Sequence, residues 1–289
     1  MAKLGSSVRP PAKLAIVGEP NSGKTVFICS NVALPVWALD ADGRFGDYQH
    51  LLLARSQDPG ETPDDLSVYV DPARLYSLSR DKQKGNAFKA VVVDSMTKPF
   101  QGLARSAHLI NRAQKRGEVE GGGNFADRLQ EKAMFISMIS SISALFEETW
   151  LVWHTYQGKG GKGEDRTGET ISKVERDRLL QSLSARIEFG TDAKGYWASP
   201  TWARDWRGIK ANVGFKVYDK PDNYWKGGLD RLFSVMYASF KGKDEAIAWA
   251  VKVTGMSAEE LSKIYETKKE GVKSAADMWA RWALHVESM

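Results

Sequence analysis

Residues 18–25 read Gly-Glu-Pro-Asn-Ser-Gly-Lys-Thr, the pattern G-x-x-x-x-G-K-T. That spacing builds a cradle for phosphate. The glycines let backbone N–H groups turn inward around an anion. Lys24 brings a positive charge to the outer phosphates, and the Thr25 hydroxyl can ligate Mg²⁺. Gly18, Glu19, Pro20, Asn21, Ser22, Gly23, Lys24, Thr25 and Val26 are therefore the expected nucleotide-contacting residues. A helix starting near Gly23 would aim the positive end of its dipole at the bound anion. A second element, "AVVVDSMT", runs four apolar residues into Asp94. In phosphate-loop enzymes an Asp in that place holds Mg²⁺, so Thr25 and Asp94 are the expected metal residues.

Hydrolysis of a nucleotide needs a group that orients or deprotonates water. The turn "WALDADGRF" offers Asp42, and less directly Asp40, which could equally cap the following helix. "WLVWHTYQGKGG" ends in His154, Thr155 and Gln157. Polar groups at the carboxyl end of a parallel strand lie beside the ligand crevice. His154 could sense the outermost phosphate there, or simply finish a polar strand end.

Short apolar runs must position these groups. "LAIV" (14–17), "PVWALD" (35–40), "LSVYV" (66–70), "AVVVD" (90–94), "TWLVWH" (149–154), "ARIEFG" (185–190) and "ANVGFKVY" (211–218) read as strands. Several are continuously apolar, as strands buried on both faces are. They alternate with helical patterns, among them "FADRLQEKAMFISMISSISALFEE", so the expected class is α/β with a mostly parallel sheet flanked by helices. Two Gly-rich charged segments, 111–124 and 158–173, read as long loops. From about residue 243 the pattern is helical only, and Ser257 with Glu260 makes a capping-box spacing. The expected organisation is a flexible lead-in (1–11), a core (12–240) and a small helical C-terminal region (241–289).

The order of these motifs resembles the RecA-like recombinase core, over about residues 12–220. "GEPNSGKT" is similar to that family's phosphate loop and "VVVDSMT" to its Mg²⁺-Asp strand. "WALDADGRF" is similar to the strand and turn that carry its catalytic glutamate, which falls on Asp42. "WLVWHTYQGKGG" is similar to its γ-phosphate sensor strand, in the RadA-like form. Within the family, the compact size together with "WALDADGRF" and "VVVDSMTKPF" resembles the Sak-type single-strand annealing ATPases of phages. The resemblance implies an Mg²⁺-dependent ATPase that oligomerises on single-stranded DNA and promotes strand annealing or exchange. The catalytic set would be Lys24, Asp42, Asp94, His154 and a cation acting on the neighbouring subunit. Arg204, Arg207 and Lys210 are candidates for that cation, with Arg207 or Lys210 preferred. The two charged loops would contact DNA through Arg112, Lys115, Arg116, Lys159, Lys162, Arg166 and Lys173. A single-strand DNA-binding protein would be a further partner. Two alternatives share the core: a ring helicase or DNA motor, and a nucleotide-switched loader of partner proteins with weak hydrolysis. Asp42 in place of the family's glutamate keeps the loader in view.

Composition sets outer bounds. The chain has 289 residues, a net charge of +5 and one cysteine, Cys29, so no intrachain disulfide can form. A mild basic excess suits a polyanionic partner but is also ordinary surface charge. No apolar run approaches the ~20 residues of a membrane span, and "MAKLGSSVRPPAK" lacks the apolar centre of a secretory signal. The expected location is cytoplasmic, in the host cell if the source is a phage. The 10 tryptophans divide in the same way between base stacking and packing. Trp249, Trp279 and Trp282 fall on amphipathic helices and should pack, whereas the segment 196–207 permits either use.

Overall fold

The computed structural model describes residues 10–54, 66–69, 88–96, 125–159, 165–169, 180–220, 224–272 and 274–289. In chain order these form β1 (Lys13–Gly18), α1 (Lys24–Asn31), β2 (Val36–Asp40) and a 3₁₀ turn (Phe45–Tyr48). They continue with α2 (Gln49–Leu53), β3 (Leu66–Tyr69), β4 (Ala90–Asp94), α3 (Phe125–Leu145), β5 (Glu148–Lys159) and β6 (Asp165–Glu169). Last come β7 (Ala185–Asp192), β8 (Gly195–Ala203), β9 (Val217–Tyr218), α4 (Gly228–Met236), α5 (Lys243–Thr254), α6 (Ala258–Lys269) and α7 (Ala275–Ser288).

The protein is α/β. Among the described residues the sheet has nine strands and runs β3-β2-β4-β5-β1-β7-β8-β9, with β6 paired to the far end of β5. Every pairing from β3 to β7 is parallel. The β7-β8-β9 edge and the β5-β6 hairpin are antiparallel. β1, β2 and β4 are buried along nearly their whole length. Alternate residues of these strands feed two different apolar layers, which explains their unbroken apolar sequence. Leu14, Ile16, Val36, Ala38, Val92 and Trp150 join one layer with Phe27 and Ile28 of α1 and Leu232 of α4. Ala15, Val17, Trp37, Leu39, Val93 and Leu151 join the other, with Met138, Ile139 and Ile142 of α3. Cys29 is buried and free, packing as a small apolar residue.

The three last helices pack around a third apolar cluster, with Trp282 fully buried at its centre and Trp249 and Trp279 against Phe240. The indole N–H of Trp282 donates to the Ala246 carbonyl at 3.1 Å. α6 opens with the capping box that the spacing predicts: the Ser257 hydroxyl accepts from the Glu260 N–H at 3.3 Å, and the Glu260 carboxylate accepts from the Ser257 N–H.

Three expectations need correction. First, "ANVGFKVY" is not a strand from 211; only Val217–Tyr218 pairs with the sheet. The preceding residues spend their N–H groups elsewhere: Ala211 on the Asp205 carboxylate, Asn212 on the Met236 carbonyl, and Gly214 on the Pro200 carbonyl. Second, "GYWASPTWA" is a strand. Trp197 lies over Gly190, where a Cβ would sit 2.4 Å from the indole, so this tryptophan packs on its neighbour strand. Third, 158–173 is not irregular throughout. β5 continues to Lys159 and pairs with β6, matching Thr155 with Glu169 and Lys159 with Asp165. The hairpin satisfies backbone groups of β5 that the parallel sheet no longer reaches. The first charged segment, 111–124, lies outside the described residues, as does most of the lead-in. Among the described residues, no helix is long and apolar enough to cross a membrane.

Candidate phosphate-loop and carboxylate site

The site lies where the parallel strands end. In the sheet order β2-β4-β5-β1, the register sets Asp40 beside Asp94 and Gly18 beside His154. The chain leaves β1 through the loop 18–24 and re-enters the sheet at β2, with β5 and β4 lying between. That change of direction opens a crevice beyond the carboxyl ends of the strands.

Gly18 must be glycine for space: a Cβ there would stand 2.5 Å from the Phe189 carbonyl oxygen and 2.9 Å from Ser22 Oγ. Gly23 caps α1 in a left-handed conformation at φ 87°, and its carbonyl accepts the Phe27 N–H at 2.9 Å. The loop thereby delivers Lys24 into the crevice. Lys24 is 4% exposed, and its ammonium donates to the carbonyls of Gly18 (2.9 Å) and Glu19 (2.5 Å) and to Ser22 Oγ (3.3 Å). Burial lowers its pKa to about 8, against the opposing pull of Asp94, Glu19 and Asp42. A cation held by three uncharged oxygens has stronger, charge-assisted bonds still to gain from an anion.

Thr25 Oγ1 donates to Asp94 Oδ2 at 2.8 Å. Asp94 is buried, and burial pushes its carboxyl above the ordinary carboxylate range, while the Thr25 bond and His154 pull it back. Asp42 lies across the crevice on the turn after β2, and its Oδ2 sits 3.0 Å from His154 Nε2. His154 Nδ1 is buried without a hydrogen-bond partner among the described residues. The cleft enclosed by the loop, Asp42, Arg44, Tyr48, Asp94 and His154 holds about 320 Å³.

Asp40 has the capping role. Its carboxylate accepts the N–H groups of Arg44 (2.9 Å), Phe45 (2.9 Å) and Gly46 (3.4 Å), fixing the connection from β2 that carries Asp42 and Arg44 to the start of the 3₁₀ turn. Of the expected site residues, Pro20 through Val26, Asp42, Asp94 and His154 line the one cleft, whereas Gly18 and Glu19 do not line it and offer their carbonyls to the Lys24 ammonium. Arg207 does not line it. It sits exposed on the tight turn between Trp206 and Ile209, at φ 50°, with its guanidinium 4.4 Å over the Trp206 ring. Arg204 donates to the Gln181 carbonyl, and Lys210 is exposed. Of the expected DNA-contacting residues, Arg112, Lys115, Arg116, Lys162 and Lys173 lie outside the described residues. Lys159 and Arg166 stand on the backbone of the β5-β6 hairpin.

Two contributions were not expected from sequence. Arg44 places a second cation on the cleft wall, with Nη1 donating to Asn21 Oδ1 at 3.1 Å. Its signal was a lone arginine two residues after Asp42. Trp225 and Tyr196 come from the far edge of the sheet to cover Gly23, at 3.3 Å and 3.5 Å from its Cβ position. Trp225 is wedged against Phe27 and Phe189.

Together the fold and site define an α/β chain with a lysine-bearing glycine loop facing a carboxylate-imidazole cluster. No protein-family model matches the chain, and no curated protein matches it.

Proposed function

We propose that this protein is an Mg²⁺-dependent ATPase with a RecA-like core that assembles on single-stranded DNA and promotes strand annealing or exchange. One observation carries the nucleotide part. The buried Lys24 ammonium and the Thr25–Asp94 pair, joined at 2.8 Å, meet in a single cleft at the mouth of a glycine loop. In that reading the loop N–H groups and Lys24 take the phosphates, and Arg44 adds a second cation from the cleft lining. Thr25 and Asp94 fit Mg²⁺ through a hydroxyl and a carboxylate. The ion would supply charge neutralisation at the outer phosphates. Asp42 would hold the attacking water and His154 would hold Asp42. The DNA part is supported by the motif resemblance and by the basic residues of 111–124 and 158–173.

The Asp42–His154 contact at 3.0 Å also favours a second reading, a nucleotide switch that loads a partner and hydrolyses slowly. An acid already bound to an imidazole is less free to accept a proton from water.

ATP hydrolysis, measured with and without single-stranded DNA on the native chain and on Lys24→Ala, tests both. Hydrolysis that DNA stimulates and the variant lacks supports the first reading. Slow hydrolysis indifferent to DNA supports the switch. Absence of ATP binding refutes both.

A further inference from the structure

Asp42, Asp94 and His154 each present one donor atom, and these atoms all lie within 4.8 Å of one another. They arrive from three different places: the turn after β2, the end of β4 and β5. Asp42 Oδ2 and His154 Nε2 stand 3.0 Å apart. Adjacent donors around a dication with bonds near 2.1 Å stand about 3 Å apart, so one edge of a coordination shell is already set. Thr25 Oγ1, 2.8 Å from Asp94 Oδ2, puts a further oxygen next to the cluster. The imidazole is the telling donor. Carboxylates, hydroxyls and water suit Mg²⁺, whereas a nitrogen ligand shifts preference toward first-row transition dications.

We infer that Asp42, Asp94 and His154 form a direct binding site for a first-row transition dication, filled in the absence of nucleotide. Asp42 is exposed and can turn toward the ion, while Asp94 is anchored by Thr25. Nothing among the described residues bonds His154 Nδ1, so the outer support that tightens structural metal sites is absent there. The ion is therefore exchangeable. One consequence rests on the ATPase reading: an ion held by Asp42 and His154 occupies both groups that would manage water, so it opposes hydrolysis.

The test is a titration of Co²⁺ into the nucleotide-free full chain, followed by its visible absorption and by calorimetry, with Mg²⁺ titrated in parallel. The expected result is one saturable Co²⁺ per chain, bound more tightly than Mg²⁺. His154→Ala should weaken Co²⁺ by about tenfold or more, the size lost when even an outer-shell partner is removed. Asp42→Asn should weaken it comparably, and because that side chain is exposed this variant decides the matter if His154→Ala fails to fold. His285→Ala should bind as the native chain does. Lys24→Ala should keep Co²⁺ while losing ATP, which separates this site from the nucleotide reading. Absence of saturable Co²⁺ binding, or native affinity in Asp42→Asn together with any folded His154→Ala, overturns the proposal.

Discussion

A buried lysine without a carboxylate bonded to it is an unusual thing for a fold to keep. Lys24 is 4% exposed, and its bonded partners are two carbonyls and a hydroxyl. Desolvation of the ammonium brings its pKa to about 8 from the ordinary 10.5. The folded chain thus releases this proton before the unfolded chain does. Between about pH 8 and 10.5 the unfolded state binds the extra proton, so this group makes stability rise with pH across that window. Below pH 8 both states are protonated and the cost of the buried charge is present in full. Denaturant unfolding of the native chain and of Lys24→Met, repeated from pH 7 to pH 10.5, should show that extra slope in the native chain alone. Equal slopes would mean that the three oxygens compensate the ammonium completely. A resident cation that burdens the nucleotide-free fold makes sense where an anion is expected.

At the scale of elements, two aspartates two residues apart do different work. Asp40 accepts the backbone N–H groups of Arg44 and of the first two residues of the 3₁₀ turn, and Asp42 faces His154 in the cleft. Asp40→Ala should cost about 1–3 kcal/mol, the penalty for leaving such buried donors unpaired, while the folded variant should keep the proposed hydrolysis. Asp42→Asn should leave stability within about 0.5 kcal/mol, as exposed changes do, and lower hydrolysis by about 10²–10⁴, the share of general acid–base catalysis. Denaturant midpoints and ATP turnover on both variants read the two effects; the opposite pattern would exchange the roles. The sequence offered both aspartates for both roles, because a cap and a water-holding acid share one residue type. The strands β1, β2 and β4 were legible since burial on both faces writes continuous apolar sequence. The capping box of α6 was legible because its partners are three residues apart. β8 was not: its glycine, proline and tryptophans hide any two-residue alternation. Pro200 is tolerated there because β9 pairs only at Trp197 and Ala198, so no ladder bond calls for the N–H that proline lacks, while its carbonyl accepts the Gly214 N–H. Nor was the Asp42–His154 contact legible as a pair, since those residues are 112 positions apart and meet through the pairing of β2 with β4 and of β4 with β5.

For the whole molecule, the question is what the nucleotide site would act upon. The chain carries +5 overall, too little to fix a polyanion by net charge alone, so contact would depend on where cations gather. The β5-β6 hairpin grows out of the strand that carries His154, and it bears Lys159 and Arg166. If the proposed nucleotide and DNA contacts hold, β5 joins them directly, because one strand carries both His154 and Lys159. Binding of single strands releases counterions in proportion to the phosphates neutralised, at about 0.7 per contact. If Arg112, Lys115, Arg116, Lys159, Lys162, Arg166 and Lys173 all engage, the logarithm of affinity should fall against that of salt with a slope of roughly −5 per subunit. Lys159→Ala combined with Arg166→Ala should make the slope shallower by roughly 1.4 and leave nucleotide binding unchanged. Fluorescence anisotropy of a labelled oligothymidine, titrated at several salt concentrations with ATP present, gives both slopes. An unchanged slope would remove the hairpin from the interface and leave the first charged segment as the carrier of DNA contact. A slope near zero in the native chain would remove DNA altogether, and the nucleotide switch acting on a protein partner would then be the reading that remains.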